Sequence, residues 1–262
     1  MRDPKILLLD IETSPMLEWG WRYFESNALK VEQPAMVLMV GYKWLNGTGS
    51  GKAKVISMDQ FKDYKPGRFI LNDYNVCLNI HKIILEADYV VAHYGGGFDN
   101  PMLMNRFIFH NLGPIPARNW IDTKREAAKI IKAPTISLSL ANIALYFEIG
   151  QKIETNLSLW FDCMDGDKAA WREMRKYCQS DVDLLGLVYL KMRPYLENTP
   201  NMALWRKGIY ACPACGSVNI QRRGIRRTQV SEFQQYQCQD CGRWSRERTR
   251  NPDTAPIVVP LR

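Results

Sequence analysis

Asp10-Ile11-Glu12 closes a short apolar run, Ile6 to Leu9, and sets two carboxylates two residues apart. On an extended strand such side chains share a face, so both can converge on one point. Facing carboxylates repel unless a cation or a proton stands between them. Hard oxygen ligands of this kind suit Mg²⁺ or Mn²⁺. A second acid, Asp99, follows His93-Tyr94-Gly95-Gly96-Gly97-Phe98 and precedes Asn100-Pro101-Met102-Leu103. The glycines allow a tight turn and close approach to a ligand. Asp99 at a helix start suits both an N-cap and a metal ligand. A third acid, Asp181, stands four residues after Tyr177, so the two share one helix face. Trp171, Met174, Cys178, Val182 and Leu185 form the adjoining apolar stripe. Asp181 therefore sits at the margin of a buried face, where an unpartnered carboxylate is costly. Asp183 is rotated roughly 200° from Asp181 and is expected to face water.

A different chemistry is written near the C-terminus. Cys212-Pro213-Ala214-Cys215-Gly216 and Cys238-Gln239-Asp240-Cys241-Gly242 give two C-x₂-C pairs separated by 22 residues. That pattern predicts one structural Zn²⁺ ion held by four thiolates. A unit this small has little core of its own, so the metal would supply its folding energy. Arg222, Arg223, Arg226, Arg227, Phe233 and Tyr236 lie between the pairs, and Trp244 lies just beyond. Arginines interleaved with aromatics suit phosphate contact and base stacking. A charged hairpin face and a protein-docking surface are the alternatives for these seven residues.

The elements that must carry these groups read as follows. Lys5–Asp10, Met36–Leu45 and Ala53–Met58 have the apolar character of strands, the latter two joined by a turn through Asn46–Gly51. Cys77–Ala87, Asp99–His110, Thr123–Ile131 and Leu138–Phe147 show helical spacing, with short strands at Tyr89–Ala92 and Trp120–Ile121. The longest helix is predicted over Lys168–Met192, capped by Asp167 and stopped by Pro194. A hairpin followed by alternating strands and helices predicts an α/β fold, a mixed sheet flanked by helices. Asp162, Asp165 and Asp167 lack the spacing of an EF-hand loop and read as a polar loop and helix start.

Of the seven cysteines Cys77, Cys163 and Cys178 are scattered and four are paired, and an odd, uneven set without a secretory leader argues against a disulfide framework. The short apolar stretch after Met1-Arg2-Asp3-Pro4 lacks the length and cleavage site of a signal peptide. No apolar run approaches the roughly 18–20 residues of a membrane span. The expected location is cytoplasmic or nucleoid-associated, not secreted. The net charge of +8 is unevenly placed: residues 1–200 hold 24 Lys+Arg against 23 Asp+Glu, and residues 201–262 hold 11 against 4. A local excess of cations attracts phosphate backbones or acidic partners.

Taken together, Asp10-Ile11-Glu12-Thr13, Phe98-Asp99 with Pro101 and Leu103, and Tyr177-Cys178 with Asp181 resemble the three motifs of the DEDD 3′–5′ exonucleases. That ribonuclease H-like superfamily includes polymerase proofreading domains and ribonuclease D. The resemblance spans roughly residues 5–192, and Asp122-Thr123 and Leu138–Leu145 resemble lesser stretches of it. A tyrosine four before the last aspartate, with Lys176 where the other subclass has histidine, resembles the DEDDy subclass. The second motif is most similar to that of family B polymerase proofreading domains, although His93 and Tyr94 stand where an asparagine is often found.

The paired cysteines separately resemble a zinc ribbon, a small C-terminal β module over about residues 209–246. The exonuclease resemblance implies a ribonuclease H-like mixed sheet and two active-site Mg²⁺ or Mn²⁺ ions. It implies that Asp10, Glu12 and Asp181 hold the ion that activates water, that Asp10 bridges to the second ion, that Asp99 supports that ion, and that Tyr177 orients the water. The expected organisation is a DEDDy exonuclease domain over 1–195, a linker over 196–208, a zinc ribbon over 209–246 and a flexible tail over 247–262. The expected activity is 3′–5′ exonucleolytic hydrolysis, with DNA favoured over RNA and a single-stranded 3′ end as substrate. A polymerase or another replication or repair protein is a further candidate partner. A structure-specific endonuclease on the same fold, and a non-catalytic nucleic-acid or polymerase-binding module, are the competing expectations.

Overall fold

The structure, a computed structural model, describes residues 2–21, 28–45, 51–68, 71–116, 119–132, 136–197 and 199–251. Most of the turn predicted at Asn46–Gly51, and the tail beyond residue 251, lie outside the described residues. The chain divides into two compact units, Lys5–Tyr189 and Met1–Pro4 with Leu190–Arg262.

The larger unit begins with β1 (Ile6–Thr13), then β2 (Leu17–Trp19), β3 (Lys30–Gln33), β4 (Val37–Trp44) and β5 (Lys54–Ser57). There follow α1 (Tyr74–Glu86), β6 (Tyr89–Ala92), α2 (Asp99–Phe109), β7 (Asn119–Asp122), α3 (Thr123–Ile130), α4 (Leu140–Tyr146), α5 (Ser158–Met164) and α6 (Lys168–Met192). Five strands form one sheet in the order β5-β4-β1-β6-β7. β1 pairs antiparallel with β4 and parallel with β6, so the sheet is mixed. The central strand is covered on both faces, which is why Leu7, Leu8 and Leu9 are all buried and the run does not alternate. This is the expected α/β arrangement, compatible with a ribonuclease H-like fold.

Helix α6 is set close to the sheet by two glycines. A Cβ on Gly186 would lie 2.9 Å from Leu8 Cδ1, and a Cβ on Gly41 would lie 2.7 Å from Val182 Cγ2 and 2.9 Å from Cys178 Sγ. Asp167 caps α6 by accepting from the backbone N–H groups of Ala169 and Ala170. A buried polar clasp ties other elements together. Asp73 accepts from Arg106 Nε and Nη2 at 2.7 and 2.6 Å and from the Val37 backbone N–H at 3.0 Å. His110 Nε2 lies 2.6 Å from the same carboxylate.

Two elements were not expected from the sequence. β2 and β3 form a separate two-stranded arm, and α5 is a short helix that takes in Asp162, whereas Asp165 follows its end and Asp167 caps α6, as the loop and helix-start reading has them. Asp183 does not simply face water: its Oδ1 accepts from Lys43 Nζ at 2.9 Å and from the Ala53 N–H at 3.1 Å.

The smaller unit carries β8 (Ile220–Arg227), β9 (Glu232–Cys238) and β10 (Trp244–Arg246), an antiparallel sheet in the order β10-β9-β8. The segment expected to be a linker holds a 3₁₀ turn at Met202–Trp205, and buried Met202 donates its N–H to Pro213 O at 2.8 Å.

Candidate active site and candidate zinc centre

β1 presents Asp10 and Glu12 on one face. Asp10 stands opposite Gly41 and Glu12 opposite Met39 in the β1–β4 register. Because Gly41 has no side chain, α6 can lie directly over this stretch of sheet, and its Tyr177 and Asp181 reach the same acids. The ligand atoms of Asp10, Glu12 and the buried Cys178 thiol lie within 4.8 Å of one another. Asp99 is the first residue of α2, and its Oδ1 accepts from the Ile11 backbone N–H at 3.2 Å, between the two β1 acids.

The turn that delivers Asp99 is held from outside. Asp122 caps α3, accepting from the N–H groups of Lys124 and Arg125, and also accepts from Tyr94 N at 3.0 Å and Gly96 N at 3.2 Å. Tyr94 adopts φ 65°, a costly conformation for a bulky side chain. Its ring lies against Gly97, where a Cβ would come within 2.4 Å of it. His93 bridges Thr123 Oγ1 and Leu138 O, each at 2.9 Å, and burial holds its ring below the usual histidine range.

Glu12, Asp99 and Asp181 are buried, at 8%, 2% and 2% exposure, which leaves little water to stabilise three charges. Burial, and then the neighbouring carboxylates of Asp181 and Asp99, push Glu12 up to about 8. Burial pushes Asp99 up to about 7, with Asp122 adding to the rise. Asp10 is also raised well above the carboxylate range, by desolvation and by Asp99, Glu12 and Asp181. Without a bound cation this site retains protons at neutral pH.

One cation faces the cluster among the described residues, and it escaped the sequence reading. Lys152 Nζ lies 2.8 Å from Asp181 Oδ2 and 4.7 Å from the centre of the Tyr177 ring. Burial opposes its charge, but bonds to Asp181 and Tyr177 outweigh burial and hold the ammonium above its ordinary range. It stands in irregular chain between Gly150 and Ile153, where no periodicity or motif marks it. Asp181 Oδ1, by contrast, is buried with no hydrogen-bond partner. An orphaned buried carboxylate oxygen, amid acids that raise one another, fits residues able to hold a divalent cation. The donors are all hard oxygens, apart from Cys178, and fit Mg²⁺ or Mn²⁺.

In the smaller unit all four predicted cysteines meet. Cys212 Sγ lies 3.6 Å from Cys241 Sγ, and Cys215 Sγ lies 3.7 Å from Cys238 Sγ. Tetrahedral zinc with Zn–S bonds of about 2.3 Å requires sulfur–sulfur distances of about 3.8 Å, so the cluster is compatible with zinc. The two knuckles repeat each other. Gly216 N donates to Cys212 O and Gly242 N to Cys238 O, with φ of 75° and 76° at the two glycines.

The basic strand β8 is exposed along Gln221–Arg227. Arg222 is hydrogen-bonded to Gln234 and Arg227 to Glu232, whereas Arg223 and Arg226 have no partner among the described residues. Trp244 is 48% exposed. Phe233 is half-buried under the Arg246 guanidinium, 3.9 Å from its ring centre. Tyr236 is buried and packs at 5.5 Å from the Tyr210 ring, so it presents no free face for stacking.

No protein-family model matches the chain, and no curated protein matches it in sequence. Among solved structures it is similar to the family B DNA polymerase from the hyperthermophilic archaeon Pyrobaculum calidifontis, with a TM-score of 0.50 and 18% identity. The similarity covers 74% of this chain and 25% of that polymerase chain. At this identity the likeness shows a shared fold. No helix among the described residues is long and apolar enough to cross a membrane.

Proposed function

We propose that this chain is a metal-dependent 3′–5′ exonuclease of the DEDDy type, acting on nucleic acid with DNA favoured. The observation that supports the reading is that Asp10, Glu12, Asp99 and Asp181, from three separated stretches, lie close enough to raise one another, with one buried oxygen of Asp181 left without a hydrogen-bond partner. The fold it shares with a DNA polymerase supports it. Asp10, Glu12, Asp99 and Asp181 would hold two Mg²⁺ or Mn²⁺ ions, which when bound stabilise the attacking and leaving oxygens of phosphodiester hydrolysis.

The chain's own groups do the positioning. Burial keeps the Tyr177 phenol above its usual range, so it stays protonated and orients water as a hydrogen-bonding group rather than as a base. Lys152 holds Asp181 and Tyr177 in one geometry and offsets part of the carboxylate repulsion. Asp122 and Gly97 fix the turn that presents Asp99. In the smaller unit, Cys212, Cys215, Cys238 and Cys241 would hold one structural Zn²⁺. Its arginines, with Trp244, would contact the substrate backbone or a partner such as a polymerase.

The test is a 5′-labelled single-stranded oligonucleotide with free or blocked 3′ end, incubated with Mg²⁺, Mn²⁺ or chelator. The expected result is a one-nucleotide ladder from the free end, lost with chelator and with Asp181→Asn. Internal cuts in the blocked substrate would mark an endonuclease instead. Folded, Mn²⁺-loaded wild-type protein that cuts nothing would mark a binding module.

A further inference from the structure

The side of α6 turned away from Tyr177 and Asp181 carries Lys168, Arg172, Arg175, Lys176 and Gln179, at helical spacings of four, three, one and three residues. Arg172 lies about 140° round the helix from Tyr177. This side faces an open trough of about 630 Å³, whose lining includes Tyr42, Lys54, Arg172, Arg175, Lys176 and Gln179. An adjoining hollow of about 430 Å³ shares Arg172 and Arg175 and adds Lys168 and Asp59. Five cations thus line one continuous surface, and Asp59 is the one acid among the lining residues.

Four of these five cations satisfy no carboxylate of the fold among the described residues, and the fifth does so only in part. Arg175 is pinned through Nη1 alone, at 2.6 and 2.7 Å from the Asp59 carboxylate oxygens and 3.1 Å from Ser57 Oγ. Lys54, Lys168, Arg172 and Lys176 have no ion-pair partner among the described residues. Lys168, Arg172 and Lys176 succeed one another at intervals of four, and like charges at that spacing destabilise a helix. Residues 1–200 are close to neutral, with 24 Lys+Arg against 23 Asp+Glu, so the cluster is a local concentration rather than a sample of a basic surface. An unpaired row of this kind is a surface waiting for polyanion.

We propose that this trough is a second nucleic-acid contact, gripping the phosphate backbone of the substrate strand away from the scissile end. It rests on the nucleolytic reading above and extends it to polynucleotides long enough to pass round α6. Successive cations four residues apart rise about 6 Å along the helix, a regular ladder suited to a repeating backbone charge. The guanidinium groups of Arg172 and Arg175 are planar forks that fit phosphate oxygens. An acidic protein would require apolar anchors as well, and the main trough offers only Ala53, Val55 and the ring of Tyr42.

The test is binding of the full chain to a long oligothymidylate without divalent ions, followed by fluorescence anisotropy across a salt series. Arg172→Gln/Lys176→Gln should make the plot of log affinity against log salt shallower by about 1.4 for a single strand, with binding weakened about tenfold or more at low salt. Lys54→Gln/Lys176→Gln should repeat the effect, so that one poorly folded variant does not decide the outcome. Lys82→Gln/Lys132→Gln, an equal charge loss on α1 and after α3, should change the slope less than half as much. An unchanged slope, or an equal change in the control pair, overturns the proposal. So does poly-glutamate that competes as well as oligothymidylate of the same charge, which would mark a general acid-binding surface. Cleavage with an unaltered slope would leave the nuclease reading standing and the trough refuted. A slope change in a chain that cuts nothing would do the reverse.

Discussion

If the acids on β1 and α2 retain protons in the metal-free protein, its stability should fall as the solution becomes more alkaline. Glu12 titrates at about 8 in the folded chain against 4.5 for an ordinary glutamate. Its folded value is raised, so between those limits the folded chain binds a proton that the unfolded chain has released. Stability is then greatest below pH 4.5 and is lost as pH climbs through 8. The limiting slope is about 1.4 kcal/mol per pH unit for each such carboxyl. Asp99, raised to about 7, adds to the slope in the lower part of the window. His93 acts oppositely: its folded value is lowered from 6.5, so it favours the folded chain as pH rises to that point. The decline is therefore cleanest from pH 6.5 to 8, where Glu12 alone contributes about 2 kcal/mol, or roughly 4–8 °C in Tm. The assay is thermal unfolding in buffers stripped of divalent ions by resin, which would spare a zinc ion held by the four cysteines, with and without Mn²⁺. Mn²⁺ should abolish the decline, and Glu12→Gln should make it shallower, with Asp10 and Asp99 carrying what remains. A flat metal-free profile, or a Glu12→Gln profile that overlays the wild type, would refute the reasoning.

Lys152→Met should lower single-turnover cleavage at least about tenfold while the protein stays folded, because Asp181 and Tyr177 lose their shared partner; an unchanged rate would assign Lys152 a purely structural place. Arg106→Met should cost about 3–5 kcal/mol in urea unfolding, since it strands the Asp73 carboxylate in the interior. Burial opposes charge on Asp73, but Arg106, His110 and the Val37 N–H hold it below the usual range, so this stabilisation should be lost as pH falls through that lowered value. Cys238→Ser should reduce bound zinc, read with a chromogenic chelator, and loosen the smaller unit, read by proteolysis at β8–β10; full zinc content in the variant would refute four-cysteine ligation.

Much of the fold was legible because its signals are local. The apolar run ending in Asp10 reads as a buried strand end, and the stripe from Trp171 to Leu185 reads as a long helix packed on one face. The carboxylates were legible for the same reason, through a period of two on β1 and of four on α6. Lys152 was not, because nothing in irregular chain distinguishes a lysine that reaches a carboxylate from one that reaches water. Asp183 was misplaced for a related reason. Helical rotation points it outward, but Lys43 and Ala53, 140 and 130 residues away, come over it. The β2–β3 arm lacks the alternation that marks a strand, and Leu17, Trp19 and Val31 are exposed. The clasp of Asp73, Arg106 and His110 depends on three elements meeting, which no window of sequence contains.

Gly41 joins two properties that most proteins keep apart. It stands beside Asp10 on the sheet and beneath Cys178 and Val182 on the helix. The thickness of the interior at that point therefore sets the gap between the acids contributed by sheet and helix. Repacking that widened this layer by one methyl group would shift the helix acids relative to the sheet acids at the same stroke, so packing and the geometry of the proposed ion site cannot drift independently.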